Sequence, residues 1–172
     1  MQDPIRAILV FIVSGATTAV LLSLMVILLP KLSSLTARTI ETMPGRSFIL
    51  GAINFIFFSA VAVVLSRIGQ GIGSFFGGLF SLMALAISLV LLLLLTIGLS
   101  GLVRLISERI NESKPLSTGH LLRAAVLLVG AAFAPLAGWF VLTPVALFIG
   151  LGAAIISLIQ WISGRISSRP SD

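Results

Sequence analysis

The sequence predicts an all-α fold, a polytopic transmembrane bundle of about five helices that forms a single integral membrane domain over residues 1–172. The chain is 58% hydrophobic and only 9% charged, whereas soluble domains carry roughly 25% charged residues. Four windows contain no Asp, Glu, Lys or Arg: residues 7–30, 47–66, 68–103 and 124–164. Because about 20 apolar residues span a bilayer as a helix, each window is long enough to cross. Pro135 and Gly138 divide the last window, which predicts a tight hairpin there.

The first predicted helix covers residues 5–29. It is too long for the apolar region of a signal peptide, and Leu35-Thr36-Ala37 is a poor cleavage site, so we expect the helix to be retained. Pro30 and Lys31 end it.

Residues 31–43 predict a short amphipathic helix at the lipid headgroups. Apolar residues on one helical side are Leu32, Leu35, Ile40 and Met43, and polar residues on the other are Ser33, Ser34, Arg38 and Glu41. Pro44 and Gly45 are expected to end this interfacial segment.

The second and third spans are predicted at residues 47–65 and 75–112. A glycine-rich segment between them, residues 68–73, is expected to be a turn. Near the end of the third helix, Arg104 and Glu108 have the i,i+4 spacing of a helical ion pair.

Residues 118–134 and 139–163 are the two predicted arms of the hairpin, with Ser117 or Thr118 available to cap the first arm. Trp139 and Trp161 are separated by about 33 Å along a helix, the distance between the two aromatic belts of a membrane. A single bent helix with a kink at Pro135 is the alternative.

The basic residues predict the orientation of the five-helix arrangement. Two of them, Arg6 and Arg67, fall on one side of the membrane. The other side carries Lys31, Arg38, Arg46, Arg104, Arg109, Lys114, Arg123, Arg165 and Arg169. The positive-inside rule therefore favours an outer N-terminus and an inner C-terminus. A single crossing by the last window would reduce this asymmetry.

The proline and glycine spacing resembles that of an uncharacterised bacterial membrane domain associated with bactofilin-like polymer-forming proteins. The segments that carry the resemblance are Leu29-Pro30, Pro44–Gly51, Pro135–Trp139 and Gly150–Ala153. The resemblance implies a bacterial envelope. We expect the cytoplasmic (inner) membrane, with an internal membrane as the other option. Only Met1–Pro4 precede the first predicted helix, so we expect no polymer-forming domain in this chain.

Few side chains are suited to catalysis or to metal binding. The chain has no cysteine, and His120 is its only histidine. The loop that contains Glu112, Ser113 and Ser117 near His120 has no spacing that establishes a nucleophile and its base. The segment Gly69–Gly73 lacks the lysine of a phosphate-binding loop. We therefore expect no catalytic residue, no metal ion, no cofactor and no enzymatic activity.

Small residues recur at four-residue steps and are candidates for close helix packing. They are Gly69, Gly73 and Gly77 in one series and Ala146, Gly150 and Ala154 in the other. Asn54 is the amide well inside a span, and we expect it to form a hydrogen bond to another helix because an uncompensated polar group in lipid is costly.

These features predict an accessory, scaffold or assembly subunit that binds other membrane components. The expected partners are membrane lipids, with anionic lipid as an option, and either another membrane protein or a second copy of this chain. Nucleic acid is not expected, because the basic residues flank the spans. The alternative is an oligomeric channel or carrier for a small neutral or lipid-like solute, built around Asn54, Thr17 and Thr18. A lipid-directed enzyme that uses His120 is the third hypothesis.

Overall fold

The computed structural model describes residues 4–71, 74–110, 117–132 and 138–167, and these residues form an all-α helical bundle. This is the fold class that the sequence predicts. The α-helices are α1 (Pro4–Leu28), α2 (Pro30–Thr42), α3 (Pro44–Gly71), α4 (Ser74–Ile110), α5 (Thr118–Ala132) and α6 (Thr143–Ser167). A π-helical turn, Gly138–Leu142, precedes α6.

Three helices have the length and apolar composition of membrane spans: Pro44–Gly71, Phe75–Ile110 and Phe140–Ser163. Ile12–Leu28 of α1 and the whole of α2 together also have the length and composition of a membrane span. This fourth candidate span is broken by a bend of 105° between Leu28 and Pro30. The chain is therefore an integral membrane protein. At 15 residues, α5 is apolar but shorter than a usual span, so its crossing of the membrane stays a prediction.

Helix α3 is longer than the predicted 47–65 at both ends. Pro44 begins this helix, and the backbone N–H of Ser47 donates to the Met43 carbonyl at 3.0 Å. A proline is well tolerated in the first helical turn because its missing N–H would have no partner there. At the other end, the sequence predicts a turn at residues 68–73. This prediction is wrong for residues 68–71, which are the last turn of α3. Residues 72–73 lie outside the described part of the chain.

Helix α4 lies at the centre of the bundle and packs against each of the other five described α-helices. On one side, Ala19 and Leu22 of α1 and Ala124 of α5 form a buried cluster with Val103 of α4. On the other side, α4 contacts α2, α3 and α6. Two groups of helices thus share one central helix.

The buried side of α2 differs from the predicted apolar side. Ser33, on the predicted polar side, is buried, whereas Met43, on the predicted apolar side, is 41% exposed and follows the end of α2. The cause is protein packing, since α2 lies against α4 and α6. Burial of Ser33 is tolerated because its hydroxyl donates to the Leu29 carbonyl at 2.5 Å.

Helices α3 and α4 are far less covered by the rest of the chain than α6 is. In the most apolar 18-residue stretch of each helix, 6% of the residues of α3 and 11% of those of α4 are buried within the protein, against 33% for α6. Large apolar side chains such as Ile56, Phe57, Leu82 and Leu89 are mostly exposed. Lipid or another protein must therefore cover most of the α3–α4 pair.

Candidate functional site

Two glycines set the crossing of α3 and α6. A Cβ built on Gly51 would lie 2.8 Å from the backbone nitrogen of Gly152, and a Cβ on Gly152 would lie 2.8 Å from that of Gly51. Beside this crossing, the ring of Phe148 packs against Phe48 and Phe55, with centroids 5.6 and 5.7 Å apart. Any side chain at either glycine would separate the helices. Both residues lie outside the two predicted four-residue series.

A second close approach joins α4 and α6 at Gly150, one of the predicted packing residues. A Cβ on Gly98 would lie 2.7 Å from the Cα of Gly150. Ala154 in the same series is fully buried. Ala146 instead lines an apolar cavity of about 280 Å³ together with Thr18 and other residues of α1, α4 and α5.

Gly69 and Gly77, two of the predicted packing residues, lie on different helices. Gly69 belongs to α3 and Gly77 to α4, and the two helices meet there. A Cβ on Gly69 would lie 3.0 Å from the Gly77 carbonyl oxygen and 2.9 Å from the hydroxyl of Ser81. Gly73 lies outside the described residues. The small residues are opposed across the pair because the chain reverses between them.

Polar contacts hold α2 against the bundle. The hydroxyls of Thr39 and Ser157 lie 3.2 Å apart in a buried contact between α2 and α6. Arg104 donates through Nη1 to the Pro30 carbonyl at 3.0 Å and through Nε to Glu108 at 2.8 Å. The predicted i,i+4 ion pair is therefore confirmed, and the same guanidinium also binds the bend between α1 and α2.

Asn54 does not make the expected hydrogen bond to another described helix. Its Nδ2 donates to the Leu50 carbonyl of the same helix at 2.8 Å, and the side chain is half-buried. Thr17 and Thr18 behave similarly, donating to the carbonyls of Val13 and Ser14. Each of these three side chains thus donates to a backbone carbonyl of its own helix. These hydrogen bonds can therefore form in lipid without an acceptor on a second helix.

A polar groove runs along the exposed side of the α3–α4 pair and was missed by the sequence analysis. It has a volume of about 710 Å³. Its apolar wall includes Ala62, Val63, Ala84 and Leu85, and its polar side chains are Ser66, Arg67, Gln70, Ser81 and Ser88. The spacing of the polar side chains along each helix places them on one side of that helix. Only the pairing of α3 with α4 brings the two sets together.

At the predicted hairpin, the structure describes Gly138 but not Pro135. Gly138 is buried against the end of α5, where a Cβ would meet the carbonyl oxygens of Ala131 and Ala132. Gly138 starts the π-helical turn that leads into α6. At the start of α5, the cap is Ser117, whose hydroxyl accepts from the backbone N–H of Gly119 at 3.3 Å.

Within the described ranges, no group of three or more His, Asp or Glu side chains is placed to hold a metal ion. The fold and these surfaces define a class, the integral membrane helix bundle with an exposed apolar helix pair. No protein-family model, no curated protein and no solved structure matches the chain.

Proposed function

We propose that this protein is a non-enzymatic accessory or scaffold subunit that binds a transmembrane segment of another membrane protein along the α3–α4 groove. The observation that carries the proposal is the placement of hydroxyl, amide and guanidinium groups on the outer side of an apolar helix pair. Polar side chains in spans usually face a protein interior. A partner helix seated in the groove would supply that interior.

The small residues of the groove suit such a partner. Ala62 and Ala84 allow a helix backbone to approach closely, and Ser66 and Ser81 offer hydroxyls to its polar groups. The close contact of Gly69 with Gly77 and Ser81 supports a scaffold role, because it joins α3 and α4 tightly at the groove.

The proposed location is the inner membrane of a bacterium, with the N-terminus outside and the C-terminus inside. The distribution of Lys and Arg supports the orientation. The resemblance in proline and glycine spacing supports the bacterial envelope.

The channel or carrier remains the alternative proposal, and no specific contact favours it. Asn54, Thr17 and Thr18 each donate to a carbonyl of their own helix. They therefore need no water-filled path to satisfy these hydrogen bonds.

Site-specific photo-crosslinking in native membranes tests the proposed surface. A photoreactive amino acid replaces Ser81, which lines the groove, or in a control Leu82, which is 63% exposed on the same helix but does not line it. We expect a discrete protein adduct from Ser81 and lipid adducts from Leu82.

A Ser81 adduct with twice the mass of the chain would identify a second copy as the partner. Lipid adducts alone from both positions, with the same result at Ser66, would contradict the proposal.

A further inference from the structure

The bend between α1 and α2 and the end of α6 enclose a second surface cleft, which we call the elbow cleft. Its volume is about 620 Å³. Leucines form most of its wall, among them Leu28 of α1 and Leu158 of α6, and its polar groups are Lys31, Gln160 and Trp161.

The elbow cleft lies where apolar spans end and charged residues begin. Lys31 immediately follows the 105° bend, and Arg104 binds the carbonyl of Pro30 in that bend. Trp161 is one of the two tryptophans whose spacing matches the two aromatic belts. These features place the cleft at the level of the lipid headgroups, with its leucine wall toward the hydrocarbon.

The two pockets that α2 lines differ in charge. The pocket between α2 and α4, which shares Leu35 with the elbow cleft, contains Arg38 and Arg104, but also Glu41 and Glu108. Among the described residues that line the elbow cleft, Lys31 is a cation and none is acidic. Of these two pockets, the elbow cleft is therefore the one whose lining is complementary to an anion.

We infer that the elbow cleft binds one anionic phospholipid. The exposed Lys31 ammonium and the exposed Gln160 amide are hydrogen-bond donors suited to phosphate oxygens. One acyl chain would lie along Leu28 and Leu158, and the half-buried Trp161 would lie at the boundary between chain and headgroup. This inference does not depend on the proposed partner groove, which is on α3 and α4.

Tryptophan fluorescence can measure this binding because the chain has only two tryptophans. The Trp139→Phe variant keeps Trp161 as a reporter in the elbow cleft. It is reconstituted in phosphatidylcholine vesicles that contain an equal fraction of either brominated phosphatidylglycerol or brominated phosphatidylcholine. One cation near the membrane surface contributes about 1 kcal/mol, so we expect roughly fivefold preferential quenching by the anionic lipid.

The Lys31→Gln variant is expected to reduce this preference to near unity. Arg38→Gln is the matched control, since it removes the same charge from the same helix but from the adjacent pocket, which also contains Glu41 and Glu108. It should keep most of the preference.

Equal quenching by both lipids would overturn the inference. Equal losses in Lys31→Gln and Arg38→Gln would also overturn it, because they would indicate diffuse surface charge. Thermal unfolding of both variants verifies that each is folded. The outcome is separate from that of groove crosslinking, so either proposal can fail alone.

Discussion

Gly51 and Gly152 face each other so closely that neither helix has room for a Cβ at this crossing. The atoms that a Cβ would meet belong to the backbone of the opposite helix, which cannot rotate away as a side chain can. Gly51→Ala is therefore expected to lower the free energy of unfolding by about 1–3 kcal/mol. Denaturation in detergent micelles, followed by circular dichroism, measures the change.

The control for that substitution is Gly78→Ala in α4. Nothing lies within 4 Å of a Cβ built there, and alanine favours a helix by up to about 1 kcal/mol relative to glycine. Equal destabilisation by the two variants would contradict the importance of the α3–α6 crossing.

The contact between Thr39 and Ser157 is expected to couple α2 to α6. A double-mutant cycle with Thr39→Val and Ser157→Ala should give a coupling energy of about 0.6 kcal/mol, typical of hydrogen bonds between helices in membranes. The same cycle with Thr42→Val should give none. Both threonines donate to a carbonyl of their own helix, but Thr39 is buried against Ser157 whereas Thr42 is exposed. Comparable coupling in both cycles would exclude a specific bond.

Arg104 and Arg109 should differ in their contribution to stability. Arg104 is 22% exposed and binds both Pro30 and Glu108, whereas Arg109 is 73% exposed and pairs with Glu41 at 3.2 Å. Arg104→Gln should cost about 1–2 kcal/mol of unfolding free energy, and Arg109→Gln less than about 0.5 kcal/mol. Thermal unfolding at low and high salt compares them. An equal cost would mean that Arg104 does not stabilise the bend.

Asn54→Leu tests the channel alternative. Asn54 bonds to Leu50 within its own helix, so the scaffold proposal predicts no effect of this variant on glycerol flux into vesicles. Stopped-flow light scattering measures the flux against protein-free vesicles. A protein-dependent flux that disappears in Asn54→Leu would favour the channel.

The absence of cysteine permits a direct test of orientation. Single cysteines at Ser117, Ala137 and Ser171 are treated with a membrane-impermeant maleimide in intact and permeabilised cells. We expect Ala137 to react in intact cells, and Ser117 and Ser171 only after permeabilisation. Labelling of Ser171 in intact cells would contradict the proposed five-span orientation.

Features that depend on neighbours along the chain were predictable. The charge-free windows indicated where α3, α4 and α6 lie, and the spacing of Arg104 and Glu108 indicated their ion pair. The predicted 31–43 segment is a helix at Pro30–Thr42. Its buried side was not predictable, because α2 packs against α4 and α6, which are distant in sequence; Thr39, for example, is buried against Ser157 of α6.

The sequence by itself determined that the chain is an all-α integral membrane protein, because hydrocarbon requires each backbone polar group to bond within its own helix. Only the tertiary structure decided which sides of those helices meet. It paired Gly51 with Gly152, placed Gly69 opposite Gly77, and joined Ser66 and Ser81 in one groove. The reason is physical: lipid is as apolar as a protein core, so hydropathy does not mark the packed side of a span, and close backbone contact selects it instead.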